Sequence, residues 1–309
     1  SGELAKHYIS DNIKNNVNLN GEYYISLPYK PMIEAGLGVA IYELQHFMQW
    51  GTPEDLEEYK YWSRIFRSLN DLERPGTEPL PGTMLLPMAG AGARFQSVGY
   101  TEAKPMIPVS GTPMSIQAMI TWPKHEKAVV ITRGEVLGDR TDFTPYAPGT
   151  DSEMMVIDEI TQGQASTCSL ARDRVDPDLP MTIAPCDSGA LYDPASFEQQ
   201  LSSGADVLIW GMRGHPRAAQ HPEQYGWIAE SNGLVTAIST KVPLDDPKSD
   251  PIIIGTFTFK KASDYFAAAN HMYERDGRIN GEFYVDECIN DAIELGLKCV
   301  VFEIDHYLP

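Results

Sequence analysis

Residues 88–95 read MAGAGARF, directly after the apolar run Met84-Leu85-Leu86-Pro87. Small residues fill Ala89, Gly90, Ala91, Gly92 and Ala93, and the stretch then turns basic at Arg94. Two readings fit this pattern. One is a tight strand-to-helix turn, where glycine is needed for its backbone freedom. The other is an anion cradle, in which glycines let backbone N–H groups approach a phosphate and the next helix N-terminus adds positive dipole. Arg94 and, ten residues on, Lys104-Pro105 supply the full charges that backbone donors lack. The spacing matches neither the P-loop, which needs Gly-Lys-Ser/Thr, nor G-x-G-x-x-G, since position 95 is Phe.

The rest of the chain bounds the chemistry. Its 309 residues are enough for one large domain or two modest ones. A formal net charge of −19 makes the chain a poor partner for nucleic acid, so any phosphate site must be a local basic pocket. No apolar run reaches membrane-spanning length, and no membrane partner is expected. Cys168, Cys186, Cys288 and Cys299 form no C-x-x-C pair, which favours reduced thiols in a cytoplasmic protein over a zinc site or disulfide framework. No G-x-S-x-G elbow marks a serine hydrolase. His215 and His221 fall in a Pro-rich stretch with no catalytic pattern.

A long-period repeat frames the organisation. The 30 residues from Asn20, NGEYYISLPYKPMIEAGLGVAIYELQHFMQ, match the 30 from Asn280, NGEFYVDECINDAIELGLKCVVFEIDHYLP, without a gap at an offset of 260, and ten positions are identical. That offset is the length of a whole domain rather than of a solenoid repeat. Residues 1–69 then read in one of two ways. They are the C-terminal part of a preceding domain copy, or they complete the main domain in permuted order, within one chain or by a segment swap in a homodimer. The Pro- and Gly-rich residues 70–83 are the expected linker, and 84–309 the main domain.

Along the chain, patterning predicts helices at 28–36, 53–69, near 113–121, near 163–172 and at 194–202. It predicts strands at 37–44, 84–88, 127–132, 181–185 and 205–211, antiparallel strands across 225–259, and an exposed loop across 138–158. Strands alternating with helices imply a three-layer α/β domain with a largely parallel sheet.

The stretch from 85 to 114 resembles the signature of the sugar nucleotidyltransferases (nucleoside-diphosphate-sugar pyrophosphorylases), commonly G-G-x-G-x-R followed by P-K-P. Gly90, Gly92, Arg94 and Lys104-Pro105 match; Ala89 and Ala103 replace a glycine and a proline. The variant with M-A-G and R-F looks like members found in surface-polysaccharide gene sets. The resemblance implies an α/β, three-layer α/β/α nucleotidyltransferase (GT-A-like, Rossmann-like) fold with a mixed, mainly parallel sheet. It implies that Met88 to Ala93, with Gln162 and Gly163 of ITQGQASTCSLA, bind the nucleotide, and that Asp187 of APCDSGALYD holds the catalytic Mg²⁺. Gly226 and Lys241 of the Y-G hairpin and Glu282 of NGEFYV would bind the acceptor. Thr240 stands where the family has a Glu before the Lys, and Ile254 where it has an Asn. The usual second metal carboxylate falls on Gln49 in the first repeat copy and on Pro309 in the second, which leaves Asp305 or Glu303 as substitutes.

The implied substrates are a nucleoside triphosphate (CTP, UTP or dTTP) and a phosphorylated sugar, with release of pyrophosphate. Arg94, Lys104 and Asp187 would be the catalytic residues. Two alternatives stay open: a cytidylyltransferase for a non-sugar phosphate or phosphonate, and a degenerate nucleotide-binding or assembly domain. A related glycosyltransferase would want D-x-D, which Asp187-Ser188-Gly189 lacks.

Overall fold

A computed structural model describes residues 2–71, 78–138 and 142–309, with the side chains of 70 and 71 left aside. The chain divides into two compact units, one up to Thr52 and one from Pro53 onward.

The second unit takes its form from strands whose successive residues are both apolar. In β1 (Leu80–Pro87) Leu85 faces one core while Met84 and Leu86 face another. In β4 (His125–Arg133) Val129 and Ile131 share the first core, and Ala128 and Val130 the second. Side chains alternate across a strand, so a strand apolar at every position must be covered on both faces. The other strands are β2 (Pro108–Val109), β3 (Thr112–Pro113), β5 (Gly149–Ile157), β6 (Met181–Ile183), β7 (Gly189–Leu191), β8 (Val207–Met212), β9 (Gly226–Ser231), β10 (Leu234–Thr240), β11 (Ile252–Phe259), β12 (Cys299–Glu303) and β13 (His306–Leu308).

The main sheet runs β5-β4-β1-β6-β11, then through β8 to β12, with the β9–β10 hairpin also joined to β11. Pairs β1–β4, β1–β6, β4–β5 and β8–β12 are parallel; β11 is antiparallel to its neighbours. The helices are α1 (Gly2–Lys14), α2 (Tyr29–Glu34), α3 (Pro53–Asp71), α4 (Ala93–Ser97), α5 (Met114–Met119), α6 (Gly134–Leu137), α7 (Gln164–Ser169), α8 (Pro194–Leu201), α9 (Pro216–Gln220), α10 (Ala262–Glu274) and α11 (Val285–Glu294). Residues of α7, α10 and α11 cover one face, and residues of α3, α5, α8 and α9 the other. The result is the expected α/β class, a mixed and mainly parallel sheet between two helical layers.

Three expectations change. Residues 149–157 are an edge strand rather than loop, because β4 offers them a parallel partner through Arg133↔Ile157; residues 139–141 of that expected loop lie outside the described residues. The expected linker gives way to strand at Leu80, and its residues 72–77 lie outside the described ones. Residues 37–44 form no strand: Ile41 is 96% and Tyr42 86% exposed, and a strand without a ladder partner has nothing to hold it.

The first unit repeats the backbone of the second at the same 260-residue offset. Helix α1 matches α10 end for end, and the bridge Leu19↔Glu22 matches Ile279↔Glu282. Positive φ recurs at Asn16 and Asp276, Asn20 and Asn280, Gly36 and Gly296. Local sequence therefore dictates these turns without help from the sheet.

Candidate active site

Chain direction brings the loop after β1 to the carboxyl end of the parallel strands, where open α/β sheets bind ligands. Met88 is still tied to β4 through its N–H on the Ile131 carbonyl, 2.8 Å. The next residues leave the sheet: Met88 and Ala89 are buried, while Gly90 and Ala91 are exposed. Gly92 takes a left-handed φ of 65° and starts α4, so the turn does require glycine there. The buried Arg133, at the end of β4, donates from Nε to the Ala89 carbonyl at 2.7 Å, and its second amino group reaches the Gly90 carbonyl at 3.5 Å. Arg133 thus fixes the Ala89 and Gly90 carbonyls, and a turn held in this way can present its N–H groups to an anion. Sequence patterning does not mark Arg133; its role exists only because β4 lies beside β1.

Arg94 is exposed on α4. The Lys104 ammonium makes an ion pair and hydrogen bond with Asp187 and lies 5.3 Å from the Phe95 ring centroid. An ideal Cβ on Gly92 would stand 3.1 Å from the Lys104 Cβ, so loop and lysine are in contact. Asp187 follows β6, where the Trp122 indole N–H holds the Pro185 carbonyl at 3.3 Å. These contacts bring the loop, Lys104 and Asp187 together.

A second cluster carries the acceptor candidates. Gly226 pairs with Thr240 across β9–β10, and Lys241 follows in a left-handed turn at φ 65°. The Lys241 ammonium donates to the Gln224 carbonyl. Burial lowers its pKa; neighbouring Asp286 opposes this, and Arg94 adds to it, so Lys241 senses both charges. Asp286 is half-buried at the start of α11, and desolvation holds its pKa up at about 6. Gly226 makes room for it: an ideal Cβ there would stand 2.8 Å from the Asp286 carboxylate. Glu282 is exposed, and its side chain bonds the Tyr284 phenol, whose pKa is raised by burial first and by Glu282 next, against Arg94.

Gln162 and Gly163 meet the same turn from the other side. The Gln162 side chain accepts from Arg278, its carbonyl accepts from the Phe283 N–H at 2.8 Å, and Arg278 stacks 4.2 Å over the Phe283 ring. Gly163, at φ 126°, presses so closely on Phe283 that a Cβ would lie 2.5 Å from its carbonyl oxygen. Arg278 and Asp286 are further site residues that spacing did not reveal.

Asp305 does not join Asp187. Strands β7 and β13 are antiparallel with Gly189 opposite Leu308 and Leu191 opposite His306. Asp305 therefore sits at the far end of that ladder, exposed, with its N–H on the Leu191 carbonyl at 2.9 Å. Glu303 is also occupied, pairing with Arg213 at 3.3 Å. The same register sets residue 309 beside Ser188, and that residue is a proline, whose side chain has no carboxylate to offer. Of the three carboxylates considered for the metal, Asp187 alone stands beside Lys104 and the loop among the described residues, and a Mg²⁺ ion can take its remaining ligands from substrate phosphates and water.

The architecture recurs in solved structures. A nucleoside-diphosphate-sugar pyrophosphorylase from Vibrio cholerae RC9 is similar over 72% of this chain and 91% of its own, at 20% identity and TM-score 0.56. The chain has the nucleotidyltransferase fold. A UTP-bound UGPase from Acinetobacter baumannii (74% and 88% covered, 13% identity, TM-score 0.55) and an inositol-1-phosphate CTP transferase from T. maritima (72% and 84%, 14%, 0.53) share it. No family model and no curated protein matches the sequence. Among the described residues no helix of this nucleotidyltransferase fold is long and apolar enough to cross a membrane, and all four cysteines are free thiols.

Proposed function

We propose that the chain transfers a nucleotidyl group from a nucleoside triphosphate to a phosphorylated small molecule and releases pyrophosphate. The observation that carries this reading is the contact of Lys104 with both Asp187 and the 88–93 loop at the carboxyl end of the parallel strands. An acceptor phosphate oxygen attacks the α-phosphorus, the bond to the β-phosphate breaks, and pyrophosphate leaves with the electron pair. The nucleophile is already an anion, so no strong general base is needed; alignment and charge neutralisation do the catalysis. The loop N–H groups and Arg94 hold the leaving β- and γ-phosphates. Lys104 stabilises charge at the α-phosphate, and Lys241 holds the acceptor phosphate. Gln162 and Gly163 line the base side, and Glu282 accepts from an acceptor hydroxyl. Asp187 would hold Mg²⁺, which when bound supplies further neutralisation between the phosphates.

A sugar 1-phosphate destined for surface polysaccharide is the first acceptor class. The second is a non-sugar phosphate, which Thr240 favours: the usual Glu is replaced, and the buried Thr240 hydroxyl has no partner in the structure. The test is pyrophosphate release with CTP, UTP, dTTP, ATP and GTP against a panel of phosphorylated acceptors with Mg²⁺. Turnover with one pair identifies base and acceptor. Binding without turnover on every pair would favour a degenerate domain and overturn the proposal.

A further inference from the structure

By the 260-residue offset, α3 follows the residues of the first copy that match β13. In the chain it comes before β1, yet it packs into the core on one face of the main sheet, where the separate β7–β13 ladder also packs. Tyr61 is 2% and Ile65 1% exposed, both in the core shared with Met212 and Ile304. The Tyr61 hydroxyl engages both backbone groups of Tyr307: it donates to the carbonyl and accepts from the N–H, the latter at 2.9 Å. Its ring meets His215 edge-on at 5.0 Å, and Ser68 Oγ lies 3.4 Å from His306 Nε2. We infer that α3 is the closing helix of the catalytic domain, supplied from in front of it, and that Tyr61 is a positioning residue for the strand flanking Asp187.

Strand β13 needs such a clamp. It is three residues long and pairs with a strand of three residues, too little to be stable alone. One edge of β13 is satisfied by β7; the polar groups of Tyr307 on the other edge are satisfied by a single phenol from α3. On the inner side the Tyr307 phenol reaches the Ser188 side chain, and Asp187, Tyr225 and Asp286 lie within its electrostatic range. Movement of β13 therefore moves the residue next to Asp187. The catalytic half of this inference rests on the nucleotidyl-transfer reading; the clamp itself does not.

The experiment is Tyr61→Phe in the full chain, which keeps the ring and removes the hydroxyl. Hydrogen exchange is expected to speed up at least tenfold in a peptide covering 305–309, with β1 and β4 unchanged. On the substrate pair found above, kcat is expected to fall about tenfold with KM for the nucleotide within twofold. Unchanged exchange at 305–309 overturns the clamp whether or not the chain turns over nucleotide. Faster exchange with unchanged kcat overturns the positioning role. A native chain inactive on every substrate pair refutes the functional reading and the positioning role with it, and leaves exchange to decide the clamp. In parallel, Ser68→Cys with His306→Cys, bridged by a short bismaleimide, is expected to give a cross-linked single chain against a native control. A cross-linked pair of chains would assign the helix to a second copy and overturn closure within one chain.

Discussion

Replacing Lys104 by Ala separates catalysis from stability. The ammonium pairs with Asp187, and the two side chains are 23% and 34% exposed, so water screens the pair. Ion pairs of this exposure contribute about 1 kcal/mol or less, and the contact over Phe95 adds about 0.5–1 kcal/mol. Together they come to about 2 kcal/mol or less and predict a fall in Tm of roughly 1–8 °C for a domain of this size. The effect on turnover is larger, because the same charge is asked to stabilise the phosphate that gains negative charge in the transition state. Losing one preorganised contact of that kind costs about 3–4 kcal/mol, or roughly 10²- to 10³-fold in kcat. The assay is continuous pyrophosphate release at saturating nucleotide, with thermal unfolding followed on the same preparations. Lys104→Arg keeps the charge and should retain more activity than the Ala variant. Turnover of Lys104→Ala within fivefold of the native chain would refute the assignment. A Tm loss well beyond 8 °C would show instead that the residue acts on the fold.

Three other outcomes are expected. Asp286 has a folded pKa of about 6, above its ordinary 3.8, so the folded state binds its proton more tightly and the penalty for ionisation grows as pH rises from 4 through 6; Asp286→Asn should therefore match the native chain in urea unfolding at pH 4 and exceed it by about 2–3 kcal/mol at pH 8. Asp187→Asn should leave the far-UV circular dichroism unchanged and lower turnover by at least about 10²-fold at any Mg²⁺ concentration, as the proposed metal role of Asp187 requires. Gly163→Ala places a methyl 2.5 Å from the Phe283 carbonyl oxygen at φ 126°, and urea melts should show a loss of at least about 2 kcal/mol.

Periodicity exposed the sheet because β1, β4, β8 and β11 are apolar at successive positions, a pattern that only a doubly covered strand requires. It erred where pairing decides. LGVAIYEL at 37–44 has a strand's composition and no partner, while GTDSEMMVI at 149–157 has a polar look and a partner in β4. The loop at 88–94 was readable locally, since Gly92 must be glycine. That Lys104 and Asp187, 83 positions apart, serve one site came only from resemblance, and their ion pair carried no sequence signal. Arg133, Arg278 and Asp286 carried no signal, because each matters through a neighbour that tertiary folding alone supplies. Asp305 misled for the same reason: closeness in sequence to residue 309 became the opposite end of a ladder.

The clamp between Tyr61 and Tyr307 spans 246 positions of the chain. During synthesis at about 5–20 residues per second, helix α3 emerges roughly 12–50 s before the strand it grips. For that interval Tyr61 and Ile65 have no β13 to cover them, and the β7–β13 ladder cannot form until residues 306–308 arrive. Long-range closure of this kind is slow. Partly made chains would thus carry α3 with its apolar face uncovered, a form open to chaperone capture or to pairing with a neighbour.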